Sequence, residues 1–235
     1  MVKRHLSRLA APKSWPIERK QNKWIVRPNP GPHSLDEGIP LGLAIRNILH
    51  QARTIKEVKS ILIDKNILVD KKVRQDYKFP LGVMDVLELP KTNNSYRVLF
   101  NKKGKFTLKS INNEESNLKP CKIIGKKIIK GNKIQLNLSD GRNILTDTND
   151  FKVNDTLFLD LTKNKIHSHI KLDKGVFVYI TKGKYIGRYG KVVDLEKGNT
   201  SKGDKLVISM DKNSIKTLKD YALIIGKDKP MVSLD

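Results

Sequence analysis

Cysteine is nearly absent from these 235 residues. The one thiol, Cys121, excludes an internal disulfide and any zinc site built on several cysteines. Long apolar runs are absent too. The longest, such as Val176–Ile180 and Tyr221–Ile225, stop at five residues, far short of the roughly 20 that a membrane-spanning helix needs. A single cysteine fits a reducing cytosol, and charge begins at Lys3 with no apolar stretch behind it, which argues against a secretory signal. Aromatics are 6% and apolar residues 38%, enough for several small cores and lean for one large core. Acids are also scarce: 24 Asp+Glu face 47 Lys+Arg, leaving a net charge of +23.

That excess sits in blocks. Residues 1–34 carry Lys3, Arg4, Arg8, Lys13, Arg19, Lys20, Lys23 and Arg27 against one acid, Glu18. Residues 91–133 carry twelve cations against Glu114 and Glu115, whereas 134–174 balance six against six. A solubilising surface mixes both signs and settles near a net charge of about 2 to 8. Charge in blocks is instead the footprint of a polyanion binder. A membrane surface would want a wide apolar helix face beside the basic one. The basic stretches here carry prolines or read as strands, so no membrane partner is expected.

Four segments are expected, in a multi-domain α+β chain. Residues 1–40 form a basic arm with Pro12, Pro16, Pro28, Pro30 and Pro32, expected to be extended or mobile. Its Trp15 and Trp24 either pack onto the protein or help the arm order on a nucleic acid. Residues 41–90 read as helix–helix–ribbon. Pro40 suits the first helical position, and Leu41, Ala44, Ile45, Ile48 and Leu49 make one apolar face. Thr54-Ile-Lys-Glu57 is a capping box restarting a helix that ends near Asn66. Strands Ile67–Val69 and Val73–Arg74 flank an Asp70-Lys71-Lys72 turn, and a strand Met84–Leu89 follows. This gathers Arg46, Arg53, Lys56, Lys59, Lys71 and Lys72 near one groove. Residues 91–174 read as β-rich, with a hairpin at Asp140-Gly141 between Ile134–Leu138 and a strand from Ile144. Residues 175–235 read as short strands around glycine turns, suggesting a small barrel.

Nothing points to chemistry. Gly190-Lys191 invites a phosphate-loop reading, but Tyr185 stands at the required glycine and Val192 at the Ser/Thr. His167 and His169 alternate on one strand face without a third ligand cluster. Glu114-Glu115 lies in a polar loop with nothing nearby to desolvate it. No catalytic residue, metal or cofactor is expected.

Four stretches resemble the small-subunit ribosomal protein four family of the archaeal and eukaryotic type. They are His5–Trp15 with Pro28–Ser34; Ile67–Arg74 continued by Phe79–Val86; Lys152–Thr156 with Asp160-Leu161; and Val178–Val193 with Ile225–Leu234. One departure is Lys71, where the family ribbon usually has glycine. If that position needs positive φ, either the turn differs here or lysine adopts it at a modest cost that an RNA phosphate would help offset.

The resemblance implies an αL RNA-binding fold at 41–90, a family-specific central β domain at 91–174, and a KOW, SH3-like barrel with a C-terminal strand at 175–235. It implies a structural constituent of the small ribosomal subunit, archaeal, cytoplasmic and ribosome-bound. Its partners would be small-subunit ribosomal RNA and neighbouring ribosomal proteins, with no homo-oligomer. Candidate RNA contacts are Lys3, Arg4, Arg8, Lys13, Trp15, Arg27, Arg46, Arg53, Lys56, Lys59, Lys71, Lys72, Arg74, Lys102, Lys103, Lys126, Lys127, Lys184 and Arg188. Gly183, Gly187 and Gly190 would shape the KOW loop. The alternative is a non-ribosomal RNA-binding regulator or an RNA-modification accessory protein.

Overall fold

The computed structural model describes residues 5–198, 203–210 and 213–234. Contacts divide the chain between Asn117 and Leu118 into two units.

In the first unit, residues 5–34 do not run loose. Leu6–Ser7 pairs with Trp24–Ile25, and the turns between them are held by side-chain donors. The Arg8 guanidinium donates to the carbonyls of Asn22 (2.9 Å) and Glu18 (2.8 Å). Arg19 donates to those of Leu9, Ala11 and Pro12. The Trp15 indole, 1% exposed, donates to the Gly38 carbonyl at 2.9 Å, and the Phe106 N–H donates to the Ser14 carbonyl. Prolines remove backbone donors, and two five-donor guanidinium groups supply replacements. The expectation of a mobile arm is corrected here for the described residues.

Gly38–Pro40 pairs with Pro80–Gly82, so Pro40 closes a strand and caps the helix instead of opening it. The helical run Leu41–Leu43 continues as a π-turn over Ala44–Ile48. Its first N–H groups, on Leu41 and Gly42, find the carbonyls of Phe79 and Tyr77, each at 2.8 Å. The second helix, Ile55–Ile63, starts as its sequence dictates. Thr54 accepts from the Glu57 N–H at 3.2 Å, and Glu57 reaches back to the Arg53 N–H at 2.8 Å. Val58 and Leu62 are buried. The left-handed exit residue is Lys65, φ 56°, and not Asn66.

Leu68–Val69 and Lys72–Val73 form the ribbon. Asp70 (φ 51°) and Lys71 (φ 63°) are both left-handed, the pattern of a tight type I′ turn. The ribbon opens a five-stranded antiparallel sheet ordered Lys72–Val73, Leu68–Val69, Val86–Leu89, Asn94–Phe100, Phe106–Ile111. Met84, expected to begin the third strand, turns instead at φ 70°. The ladder from Val86–Leu89 to Asn94–Phe100 crosses residue 91, where the sequence suggests a boundary. The contact division comes later, at Asn117.

The second unit holds two five-stranded antiparallel sheets. The first is ordered Asn143–Thr146, Ile134–Leu138, Leu118–Ile128, Thr156–Asp160, Lys165–Ile170. The long Leu118–Ile128 strand changes partner midway. Leu118–Lys122 pairs with Thr156–Asp160, and Ile123–Ile128 pairs with Ile134–Leu138 around a bulge at Ile124. Cys121, Ile123, Ile134, Leu136, Leu138, Leu157 and Leu159 make its core. The second sheet runs Asn213–Leu218, Lys205–Met210, Tyr189–Glu196, Phe177–Ile180, Ala222–Gly226. The chain is therefore multi-domain α+β, with strands predominating.

Candidate nucleic-acid interface

The two basic blocks do not present all their cations to solvent. Arg97, Lys119 and Lys122, from the 91–133 block, are buried. Arg97 pairs with Glu115 at 3.2 Å, so Glu115 is desolvated by a partner that sequence spacing does not reveal. Lys119 lies 3.4 Å from Asp140. The Lys122 ammonium donates to the carbonyls of Lys219, Asp220 and Ala222. Burial pushes its pKa down to about 8, against which the nearby Asp220 charge acts. These three cations are structural.

Several predicted contacts are also engaged within the protein. Arg8 is buried and spent on carbonyls, and Trp15 is core. Lys71 pairs with Glu88 at 2.7 Å and donates to Ser116 at 3.0 Å. Its left-handed backbone is therefore accompanied by an internal ion pair, not an open ammonium. Lys126 donates to the Phe151 carbonyl at 2.9 Å and to Asn149. Arg27 is half-buried. Lys3 and Arg4 lie outside the described residues.

The rest fall into separate groups. On the first unit, Arg53, Lys56 and Lys59 line the exposed side of the Ile55–Ile63 helix or its cap, with Lys72 on the ribbon. Lys59 stands 4.8 Å over the Tyr77 ring, and Arg74 lies 4.3 Å over Phe79. Arg46 is half-buried; desolvation, and next the Arg8 charge, hold its pKa below the usual arginine value. Lys13 is exposed on the arm. Lys102 and Lys103 are exposed at a turn where the Asn101 side chain accepts from the N–H groups of Lys103 and Lys105.

On the second unit, Lys127 is exposed beside the Ile128–Ile134 hairpin. Lys184 and Arg188 converge on Tyr185, at 5.6 and 5.8 Å from its ring centre. Gly183 (φ 85°) and Gly187 (φ 78°) shape that loop. Gly190 serves a different need: a Cβ there would sit 2.3 Å from the Ser209 carbonyl oxygen.

Lys105, Lys130 and Lys133 are also exposed, and Lys78 half-exposed, outside the set named from the sequence. Lys78 was findable, since Tyr77-Lys78-Phe79 interleaves aromatic and basic residues. Among the described residues, no cluster of His, Cys, Asp and Glu could hold a metal. His169 instead pairs with Asp155 at 2.9 Å. No helix there is long and apolar enough to cross a membrane.

Comparison with known proteins matches two family descriptions. "Ribosomal family S4e" covers residues 92–166, and "RS4NT (NUC023) domain" covers 2–36. The latter spans the arm clasped by Arg8, Arg19 and Trp15. "Small ribosomal subunit protein eS4" of Methanosphaera stadtmanae is 41% identical, over 99% of this chain and 96% of that one. Its namesake in Archaeoglobus fulgidus is 40% identical, over 100% and 99%. The crystal structure of "30S ribosomal protein S4e" from Thermoplasma acidophilum superposes with a TM-score of 0.72 at 31% identity, covering 82% of this chain and 96% of that chain. With identity at this level across its whole length, the chain belongs to the ribosomal S4e family.

Proposed function

We propose that this chain is a constituent of the small ribosomal subunit that binds and stabilises folded small-subunit ribosomal RNA. The family is one of ribosomal proteins and not of enzymes. The observation that carries the reading is a set of exposed cations on fixed turns, with no carboxylate partner among the described residues. Lys102 and Lys103 sit on the Asn101 turn, and Lys184 and Arg188 on Tyr185. Such groups contact phosphates and riboses and set position without reading bases.

In this reading, residues 41–90 act as an αL-type RNA-binding module and 91–174 as the family's central domain. Residues 175–235 act as a KOW-type, SH3-like module whose loop, Thr181–Gly190, faces RNA. The protein works in the cytoplasm, ribosome-bound, as a single copy beside other small-subunit proteins.

The test is binding of the full chain to transcribed small-subunit ribosomal RNA across a salt series. Neutralising about ten phosphates predicts a loss of several decades of affinity over moderate salt. A near-flat dependence overturns the mechanism. Recovery with free protein instead of the small subunit on a sucrose gradient overturns the ribosomal assignment.

A further inference from the structure

Arg74 leaves the ribbon with its backbone N–H on the Ile67 carbonyl, at 3.2 Å. Its guanidinium carbon lies 4.3 Å from the centre of the Phe79 ring. The side chain makes no hydrogen bond or ion pair among the described residues, and its Nε is shut from solvent without an acceptor. An unmade buried donor is destabilising, and native structures keep few of them. The acid nearest in sequence does not compensate it. Asp76 accepts from the Asn29 side chain at 2.7 Å and from the Lys78 N–H at 2.8 Å.

Two more cations meet at this loop, Lys78 on it and Lys59 from the Ile55–Ile63 helix. Lys59 and Lys78 stand 4.8 and 5.7 Å from the centre of the Tyr77 ring, and neither has a carboxylate partner among the described residues. The loop is rigidly placed: the carbonyls of Tyr77 and Phe79 receive the first N–H groups of the helical run at Leu41. Three positive groups thus stand against two rings of one anchored loop, whose one acid, Asp76, is taken up by the Asn29 side chain and the Lys78 N–H. Fixing them beforehand removes the ordering cost that flexible lysines and arginines otherwise meet on binding.

We infer that Arg74, set against Phe79, is a seat for an RNA backbone phosphate, taken on its terminal guanidinium nitrogens, with Lys59 and Lys78 receiving the flanking phosphates. The inference rests on the RNA-binding reading and narrows it to one place. Nε is shut in and the two terminal nitrogens are not, so the terminal N–H pair is what remains to offer. That pair matches two phosphate oxygens, which a lysine cannot imitate. A phosphodiester run also brings one negative charge per nucleotide, which suits three cations gathered around one loop.

Two measurements on the full chain test it. In the first, the ¹⁵N guanidinium resonances of Arg74 are followed while inorganic phosphate is added. A saturable shift, absent with chloride at equal ionic strength, is expected; its absence overturns the seat. In the second, Arg74→Lys and Arg74→Gln are compared with the parent in binding transcribed small-subunit ribosomal RNA. Arg74→Lys is expected to bind on the order of 10-fold more weakly with an unchanged salt slope. Arg74→Gln is expected to lower that slope by about 1. Parental affinity in Arg74→Lys, with the melting temperature kept, overturns the proposal. If the parent chain binds no ribosomal RNA, the functional reading falls, and the phosphate titration alone decides the seat.

Discussion

The Lys122 ammonium donates to the Asp220 carbonyl oxygen at 2.8 Å, joining two residues far apart in sequence within the second unit. The same group also holds the carbonyls of Lys219 and Ala222. Lys122→Met removes one charge and leaves three acceptors without their donor. The expected loss is about 2 to 3 kcal/mol of unfolding free energy, measured by urea denaturation near neutral pH.

The pH dependence of that difference has a definite sign. Burial depresses the Lys122 pKa to about 8 from 10.5. Between these values the unfolded chain holds a proton that the folded chain has released, so this group adds stability as pH rises through the window. The stability of the parent relative to Lys122→Met should therefore grow from about pH 8 to 10.5, by an amount on the order of 2–3 kcal/mol. A flat or falling difference would contradict the burial argument.

Trp15 behaves as core. Trp15→Phe strands the Gly38 carbonyl and should cost about 1–3 kcal/mol; Trp15→Ala should cost about 3–5 kcal/mol. Acrylamide should quench Trp24, which is 52% exposed, and spare Trp15. Strong quenching of fluorescence in a Trp24→Phe variant would contradict this placement.

At the ribbon turn two effects oppose each other. Lys71→Gly relieves a left-handed backbone but loses the Glu88 ion pair. Each is worth about 1 kcal/mol, so the melting temperature should barely move. Lys71→Val loses the same pair and puts a β-branched residue at φ 63°, and should be clearly less stable.

The glycines separate into kinds. Gly190→Ala forces a methyl to within 2.3 Å of the Ser209 carbonyl oxygen and must spread the ladder between Tyr189–Glu196 and Lys205–Met210. The expected cost is roughly 1–3 kcal/mol or more. Gly131→Ala meets nothing within 4 Å and bears only its positive φ, at about 1 kcal/mol. Comparable losses at the two sites would refute the distinction.

What could be read from the sequence was local. The Thr54–Glu57 box and the Ile134, Leu136, Leu138 alternation sit within a few residues of their consequences, and both appear where expected. The failures come from distant partners. Val98, Leu99 and Phe100 are all buried, so Asn94–Phe100 shows no alternation at its end. Leu118–Ile128 opens with Lys119 and Lys122, which read as a solvated face until Asp140 and the 219–222 carbonyls arrive. The candidate interface suffers the same way. Charge counts cannot separate Arg8 and Lys126, which hold carbonyls, from Lys103 and Lys184, which have no charged partner among the described residues.

The clasped arm also imposes an order of events. Trp15 cannot close on Gly38 until the chain has passed that residue, and Ser14 has no Phe106 N–H to accept from until the Phe106–Ile111 strand exists. During synthesis this segment emerges ahead of the rest of its unit and is among the last there to complete its contacts. A positively charged, proline-rich stretch spends that interval held only by its own arginines and open to any polyanion nearby, until Gly38 receives Trp15 and the later strand fastens Ser14.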